Sequence, residues 1–274
     1  MAINPIFQRL ELLTGTDALD ALGATNVIIF GVGGVGSWVA DSLVRTGIHN
    51  ITIVDSDTVC ITNINRQLQA STKNIGKSKV EELKRKLLEI NPKANVKALL
   101  KVYDKKERSD WDLTPYDYVI DAIDSLSHKV DLLKNAYEQK VTVFSSMGAA
   151  NRLDPTLIQI KSIWDTNICP LARLVRKYLR KDGFRGDFKC VYSEENRPLA
   201  RVTSPKDGSH KCVCSSVGTP NSQVQADAKD WCHDKAVIPG SAVHITATYG
   251  NFLAGLVIQD VIKKMEEHLE LSRV

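Results

Sequence analysis

The sequence predicts an α/β protein built on a doubly wound, mostly parallel sheet. Three observations point there. Short β-branched runs alternate with amphipathic helix patterns over residues 1–150. A glycine-rich turn sits where one run gives way to a helix. Acidic residues close the runs that follow, where ligands collect in such sheets.

Residues 27–30 are the first run and end in Gly31-Val32-Gly33-Gly34-Val35-Gly36-Ser37. A helix is expected over 37–46, closed by Gly47, and a strand over 51–54, ending at Asp55. Lys and Glu dominate an amphipathic helix at 78–90, stopped by Asn91-Pro92. Further strands are expected at 96–102, 116–120 (ending at Asp121), 141–145 and 156–163. Residues 171–179 form a helix with Leu171, Leu174, Val175 and Leu179 on its apolar face. Residues 183–239 are polar, rich in Gly, Pro and Ser, and carry four of the six cysteines, so they are expected as a mobile insertion. Apolar patterning returns at 242–265 and completes one domain over 1–274, with 1–155 as its nucleotide-binding core.

The 274 residues suit one large domain, and 43% hydrophobic with 25% charged residues is ordinary for a globular core. The stretch 242–258 contains His244, Asn251 and glycines, which reads as a buried helix and not a membrane span. No leader pattern opens the sequence, and its cysteines are expected as free thiols in a reducing cytoplasm. A net charge of +4 permits nucleic-acid binding without arguing for it.

The glycine turn follows a strand, opens a helix, and is trailed by Asp55 about twenty residues on. Gly31, Gly33, Gly34 and Gly36 let the backbone approach phosphates, the helix N-terminus attracts them, and Asp55 is placed to accept from ribose hydroxyls. A dinucleotide satisfies its diphosphate mainly with backbone N–H groups, whereas a triphosphate needs added cations. Asn63, Arg66, Gln67 and Lys79 supply polar and cationic side chains, which favours ATP over NAD. Asp121 and Asp124 stand where a Mg2+-bridging carboxylate is useful.

These residues resemble the ubiquitin-activating-enzyme-like adenylyltransferases, which have a Rossmann-like fold. The resemblance is carried by Phe7-Gln8-Arg9, the glycine turn, Asp55-Ser56-Asp57, Asn63-Ile64-Asn65-Arg66-Gln67, Gly76-Lys77-Ser78-Lys79 and Asp121-Ala122-Ile123-Asp124. It implies that Asp55 binds ribose and that Asn63, Arg66 and Lys79 bind the triphosphate, with Asp57, Gln67 and Asp121 among the cofactor-binding residues. It also implies that Asp124 binds or positions Mg2+. Arg9 would reach in from a partner subunit, so a homodimer is expected. Within the superfamily the sequence is most similar to the branch that dehydrates threonylcarbamoyladenosine in tRNA. That similarity rests on Ser145-Ser146-Met147-Gly148-Ala149, Leu153-Asp154-Pro155-Thr156, Cys169-Pro170-Leu171-Ala172, Val191-Tyr192-Ser193-Glu194 and Pro239-Gly240-Ser241. The implied chemistry is adenylation of the threonyl carboxylate, then ring closure by the ureido nitrogen, with Arg9, Arg66, Lys79 and Asp124 as the catalytic set.

The tRNA expectation gains from Arg173, Arg176, Lys177, Arg180 and Lys181, which place much of their charge opposite the apolar face of one helix. The rival chemistry is activation of a sulfur-carrier or ubiquitin-like C-terminus. Its zinc-binding members carry two CxxC pairs that this sequence lacks, so no structural zinc is expected. His210, Cys212, Cys214, Cys232 and His233 are alternative donors in the polar excursion, and no chemical role is assigned to Cys232. The reading leaves room for a sulfur-transfer protein partner. A third reading is a nucleotide-sensing scaffold without turnover.

Overall fold

The computed structural model describes residues 5–196 and 240–272. Their centre is a seven-stranded sheet in the order β3-β2-β1-β4-β5-β7-β6. The strands are β1 (Asn26–Phe30), β2 (Asn50–Val54), β3 (Asn95–Leu99), β4 (Tyr118–Asp121), β5 (Thr142–Ser146), β6 (Ile158–Ser162) and β7 (Lys189–Ser193). All neighbours pair parallel except β6 with β7. The order reverses between β1 and β4, which opens a crevice at their carboxyl ends.

Both faces of the central strands are apolar, as a covered parallel sheet requires. Val27 and Ile29 point to one face, with α2 (Thr16–Ala24), α3 (Gly36–Arg45), α4 (Lys79–Ile90) and α7 (Val243–Leu271) over it. Ile28 and Phe30 point to the other, under α5 (Leu126–Glu138) and α6 (Pro170–Lys181). A short α1 (Gln8–Thr14) packs on α2. Ser78 caps α4 by accepting from Glu81 N–H, and Asn91 ends it, as expected from the Asn-Pro pair.

Helix α7 is long and apolar enough to cross a membrane by length and composition. Here it packs against α2, α3, β5 and β7, burying Ile245, Tyr249, Leu253, Val257 and Val261. Gly250 makes the closest crossing: a Cβ there would lie 2.6 Å from Trp38 Cβ and 2.9 Å from the Val35 carbonyl oxygen. This is the buried helix expected at 242–258.

Two expectations need correcting. The polar excursion does not begin at 183, because Lys189–Ser193 is a strand inserted between β5 and β6, with Cys190, Val191 and Tyr192 fully buried. Five residues among Gly, Asp and Glu neighbours are too short a run to stand out. On α6 the buried stripe is Ala172, Val175 and Leu179, while Leu174 is exposed. Helix α5 is an addition to the elements expected from patterning.

Candidate active site

Strand β1 delivers the glycine turn to the crevice, and its glycines do different work. Gly31 has φ +85°, and a Cβ on it would lie 2.8 Å from the Ala122 carbonyl oxygen at the end of β4. A Cβ on Gly36 would fall 1.9 Å from the Gly31 oxygen, so this turn closes only with glycine there. Gly34 lies under Arg66 and Thr246, whereas around Gly33 the nearest neighbour is Gln67 Nε2 at 3.8 Å. Gly33 therefore keeps a face clear for a close-approaching ligand. No side chain caps α3; the N–H groups of Ser37, Trp38 and Val39 donate to the Gly33 and Val35 carbonyls within the turn, so an anion here would meet the turn and the dipole end of the helix.

Asp55 follows β2 and accepts from the Val32 N–H at 2.8 Å and the Asp57 N–H at 2.9 Å. The carboxylate thus holds the glycine turn while lying beside it. Burial raises its pKa above the ordinary value, and nearby Asp57 adds to this, while Lys79 opposes it. Lys79 opens α4 and is brought back by a bridge between Thr58 and Ser78. Only 6% exposed, it meets Asp57 with Nζ–Oδ2 of 2.6 Å. A cation so enclosed beside a phosphate-accepting turn is placed to meet negative charge in a ligand.

Asn63 ends a single 3-10 turn, and its Oδ1 accepts from Cys60 N–H at 3.0 Å. Arg66 Nη1 donates to the Thr62 carbonyl at 2.7 Å and to Asn65 Oδ1 at 3.0 Å, and its own carbonyl accepts from the Trp38 indole. Asn65 in turn donates to the Ser241 carbonyl at 2.8 Å, tying this segment to the approach to α7. Gln67 is buried beside Gly33 with its Oε1 lacking a protein partner among the described residues. Two residues join the site that motif spacing alone does not single out: Asn65, and Gln69, which donates to the Val32 carbonyl. Polarity next to the Asn-Arg-Gln run is the one signal for both.

Asp121 does not line the crevice. It is fully buried, with Oδ2 2.5 Å from Lys129 Nζ and 2.6 Å from Ser145 Oγ, and its other oxygen accepts from Ile123 N–H. It is therefore removed from the cofactor-binding set: its lone pairs serve the protein interior. Asp124, three residues on and exposed, stays at the carboxyl end of β4. No group of three or more His, Cys, Asp or Glu side chains is arranged for a metal among the described residues. A Mg2+ ion at Asp124 would thus take most of its ligands from phosphate and water, a usual arrangement for that ion.

Arg9 lies exposed on α1, near the exposed Ile6, Leu12 and Leu13. On α6, Arg173, Lys177 and Lys181 are exposed and make no ion pair among the described residues. Arg180 lies 5.3 Å over the Trp164 ring. Arg176 is drawn inward to the Thr166 hydroxyl and the Ile163 carbonyl, so it braces the turn before α6 and leaves the set expected to face tRNA. Cys169 and Cys190 are free and buried, and burial pushes the Cys190 thiol up to about 12. His210, Cys212, Cys214, Cys232 and His233 lie outside the described residues.

The chain is similar to known proteins, to some of them from end to end. The chain is 35% identical over 261 residues to the tRNA threonylcarbamoyladenosine dehydratase of Bacillus subtilis, covering 95% of this chain and 96% of the relative. In structure it resembles the Escherichia coli tRNA N6-threonylcarbamoyladenosine dehydratase bound to AMP, with a TM-score of 0.77, 29% identity and full coverage of both chains. The ATP complex of that protein gives 0.76 at 30% identity, covering 98% of this chain and 99% of that one. The molybdopterin-synthase adenylyltransferase of E. coli is 31% identical over 150 residues, 54% of this chain and 59% of that one. A match to the ThiF family spans residues 7–273, and the chain belongs to that family.

Proposed function

We propose that this chain is an ATP-dependent enzyme that dehydrates threonylcarbamoyladenosine in tRNA. The observation that carries the reading is end-to-end similarity to dehydratases, joined to a glycine turn flanked by Lys79 and Arg66. A carboxylate is a poor electrophile. Its oxygen attacks the α-phosphorus of ATP, pyrophosphate leaves, and the acyl-adenylate forms. The ureido nitrogen then attacks the acyl carbon and expels AMP. The second step is intramolecular, so it needs mainly orientation.

In this reading Asp55 accepts from the ribose, and the glycine turn and the N-terminus of α3 receive phosphates. Asn63, Gln67, Arg66 and Lys79 contact the nucleotide, with the two cations offsetting charge on the departing pyrophosphate. Asp57 holds Lys79 in place. Asp124 would hold Mg2+, which would supply further neutralisation of the phosphates. A homodimer brings Arg9 across to the partner's site, and the exposed apolar side chains of α1 suit such a contact. Arg173, Lys177, Arg180 and Lys181 receive tRNA phosphates. The work belongs in the cytoplasm, with a sulfur-transfer protein as a further associate.

The test is mass spectrometry of tRNA nucleosides after incubation with the protein, ATP and Mg2+. The reading expects loss of one water from threonylcarbamoyladenosine, and an unchanged nucleoside sinks it. The half-length similarity to a molybdopterin-synthase adenylyltransferase keeps one rival. Pyrophosphate exchange driven by a protein ending in Gly-Gly, and not by modified tRNA, would favour that rival.

A further inference from the structure

We propose that the buried Lys129–Asp121 pair is a positioning device that fixes Asp124 against the phosphate end of the nucleotide site. The inference rests on the reading of Asp124 given above.

Lys129 and Asp121 are both completely buried. A buried ion pair is weak evidence for stability, because desolvation can cancel the attraction. Its geometry shows what else it does. Lys129 Nζ reaches Asp121 at the end of β4, the Ser146 carbonyl at the end of β5 at 2.9 Å, and Ser145 Oγ at 3.4 Å. Lys129 also lies in the first turn of α5, where its N–H donates to the Ser125 carbonyl. One ammonium group therefore pins the start of α5 to two strand ends.

Asp124 lies between those anchored points, directly before Ser125. Asp121 Oδ1 accepts from Ile123 N–H at 3.1 Å, and Ala122 N–H donates to the Phe30 carbonyl at 2.9 Å. Ala122 also presses on Gly31 from the other side. The segment from β4 to α5 is thus held on both sides of Asp124, and those two anchors set where its backbone stands. Neither Lys129 nor Asp121 needs to touch the ligand.

The test uses the full chain in three variants: Lys129→Met, Lys129→Arg and the charge-balanced Asp121→Asn/Lys129→Met. Melting temperature is read beside the Mg2+ dependence of ATP–pyrophosphate exchange with modified tRNA. The double variant leaves no unpaired buried charge, so it should melt close to the parent. Its half-saturating Mg2+ concentration should nevertheless rise about tenfold, since small misplacements near reacting groups have large effects. A folded double variant with parental Mg2+ dependence overturns the inference. Should both methionine variants fail to fold, Lys129→Arg decides: it keeps the charge but moves the anchor. A shifted Mg2+ requirement then supports the inference, and an unchanged one overturns it. Asp124→Asn separates the two ideas. Parental Mg2+ dependence in that variant sinks the role of Asp124 itself, whereas an impaired Asp124→Asn beside an unaffected, folded Lys129 variant sinks only the positioning.

Discussion

The surroundings of the glycine turn and the surface of α6 are built on opposite principles. Around the turn, backbone atoms approach to the limit of contact, and almost every polar side chain already has an internal partner: Asp55 holds Val32, Lys79 holds Asp57, Arg66 holds Thr62. On α6, Arg173, Lys177 and Lys181 stand in solvent. The first region is organised before any ligand arrives, so its electrostatics act without reorganisation. The second can act only as a diffuse field, which is screened by salt. Small changes should therefore be severe in one region and graded in the other.

The largest expected effect is at Gly36. Alanine there puts a Cβ 1.9 Å from the Gly31 oxygen, so Gly36→Ala should abolish nucleotide binding or prevent folding. Isothermal titration with ATP and thermal melting check this, and a variant that binds ATP normally refutes the packing argument. Next come Lys79→Ala and Arg66→Ala, which should lower modified-tRNA-dependent pyrophosphate exchange by about a hundredfold or more, the scale for removing a preorganised charge-stabilising group. Full activity in either removes it from the catalytic set.

On α6 the effect should be smaller and depend on salt. Replacing Arg173, Lys177 and Lys181 together by alanine should weaken tRNA binding and flatten its log–log salt slope by about 0.7–0.9 for each phosphate no longer neutralised. Filter binding across salt concentrations reads this directly. Arg176→Ala is the contrast, since its guanidinium faces Thr166 and the Ile163 carbonyl. It should lower the melting temperature and leave the salt slope unchanged; the reverse pattern would return Arg176 to the tRNA surface.

The smallest effect is on pH. Burial holds the Asp55 carboxyl above its ordinary value, so the folded protein keeps this proton to higher pH than the unfolded chain does. The stability it contributes is fully present below the ordinary carboxylate range and is lost as pH rises through the raised value. A ribose hydroxyl donates more strongly to the ionised form, so ATP binding should release a proton and weaken as pH falls through that same value. Titration calorimetry in buffers of different ionisation enthalpy measures the release. Affinity that stays flat over the acidic range would detach Asp55 from the ribose.

This contrast also explains which parts of the site are legible in the sequence. The glycine turn, Asp55, Arg66 and Lys79 are legible because backbone approach and phosphate charge each demand particular residue types at nearly local spacing. Asp121 looks equivalent to Asp124 because both are carboxylates at one strand end. Only the position of Lys129, eight residues on along a helix whose neighbours Val130, Leu132 and Leu133 are buried, distinguishes them. Strand β7 is hidden because its partners β5 and β6 are remote in sequence and its run is short. The face of α6 is easily misjudged because Ala172 carries a weaker apolar signal than Leu174.

The docking of α7 has a consequence for how the protein is made. The apolar faces of α2 and α3, formed early in the chain, are covered by a helix encoded far downstream, with Gly250 seated on Trp38. During synthesis those faces must wait, apolar and exposed, until residues 243–271 leave the ribosome. A nascent chain stalled before them would present Val39 and Leu43 of α3 to the surroundings, and so be a substrate for chaperones until elongation resumes.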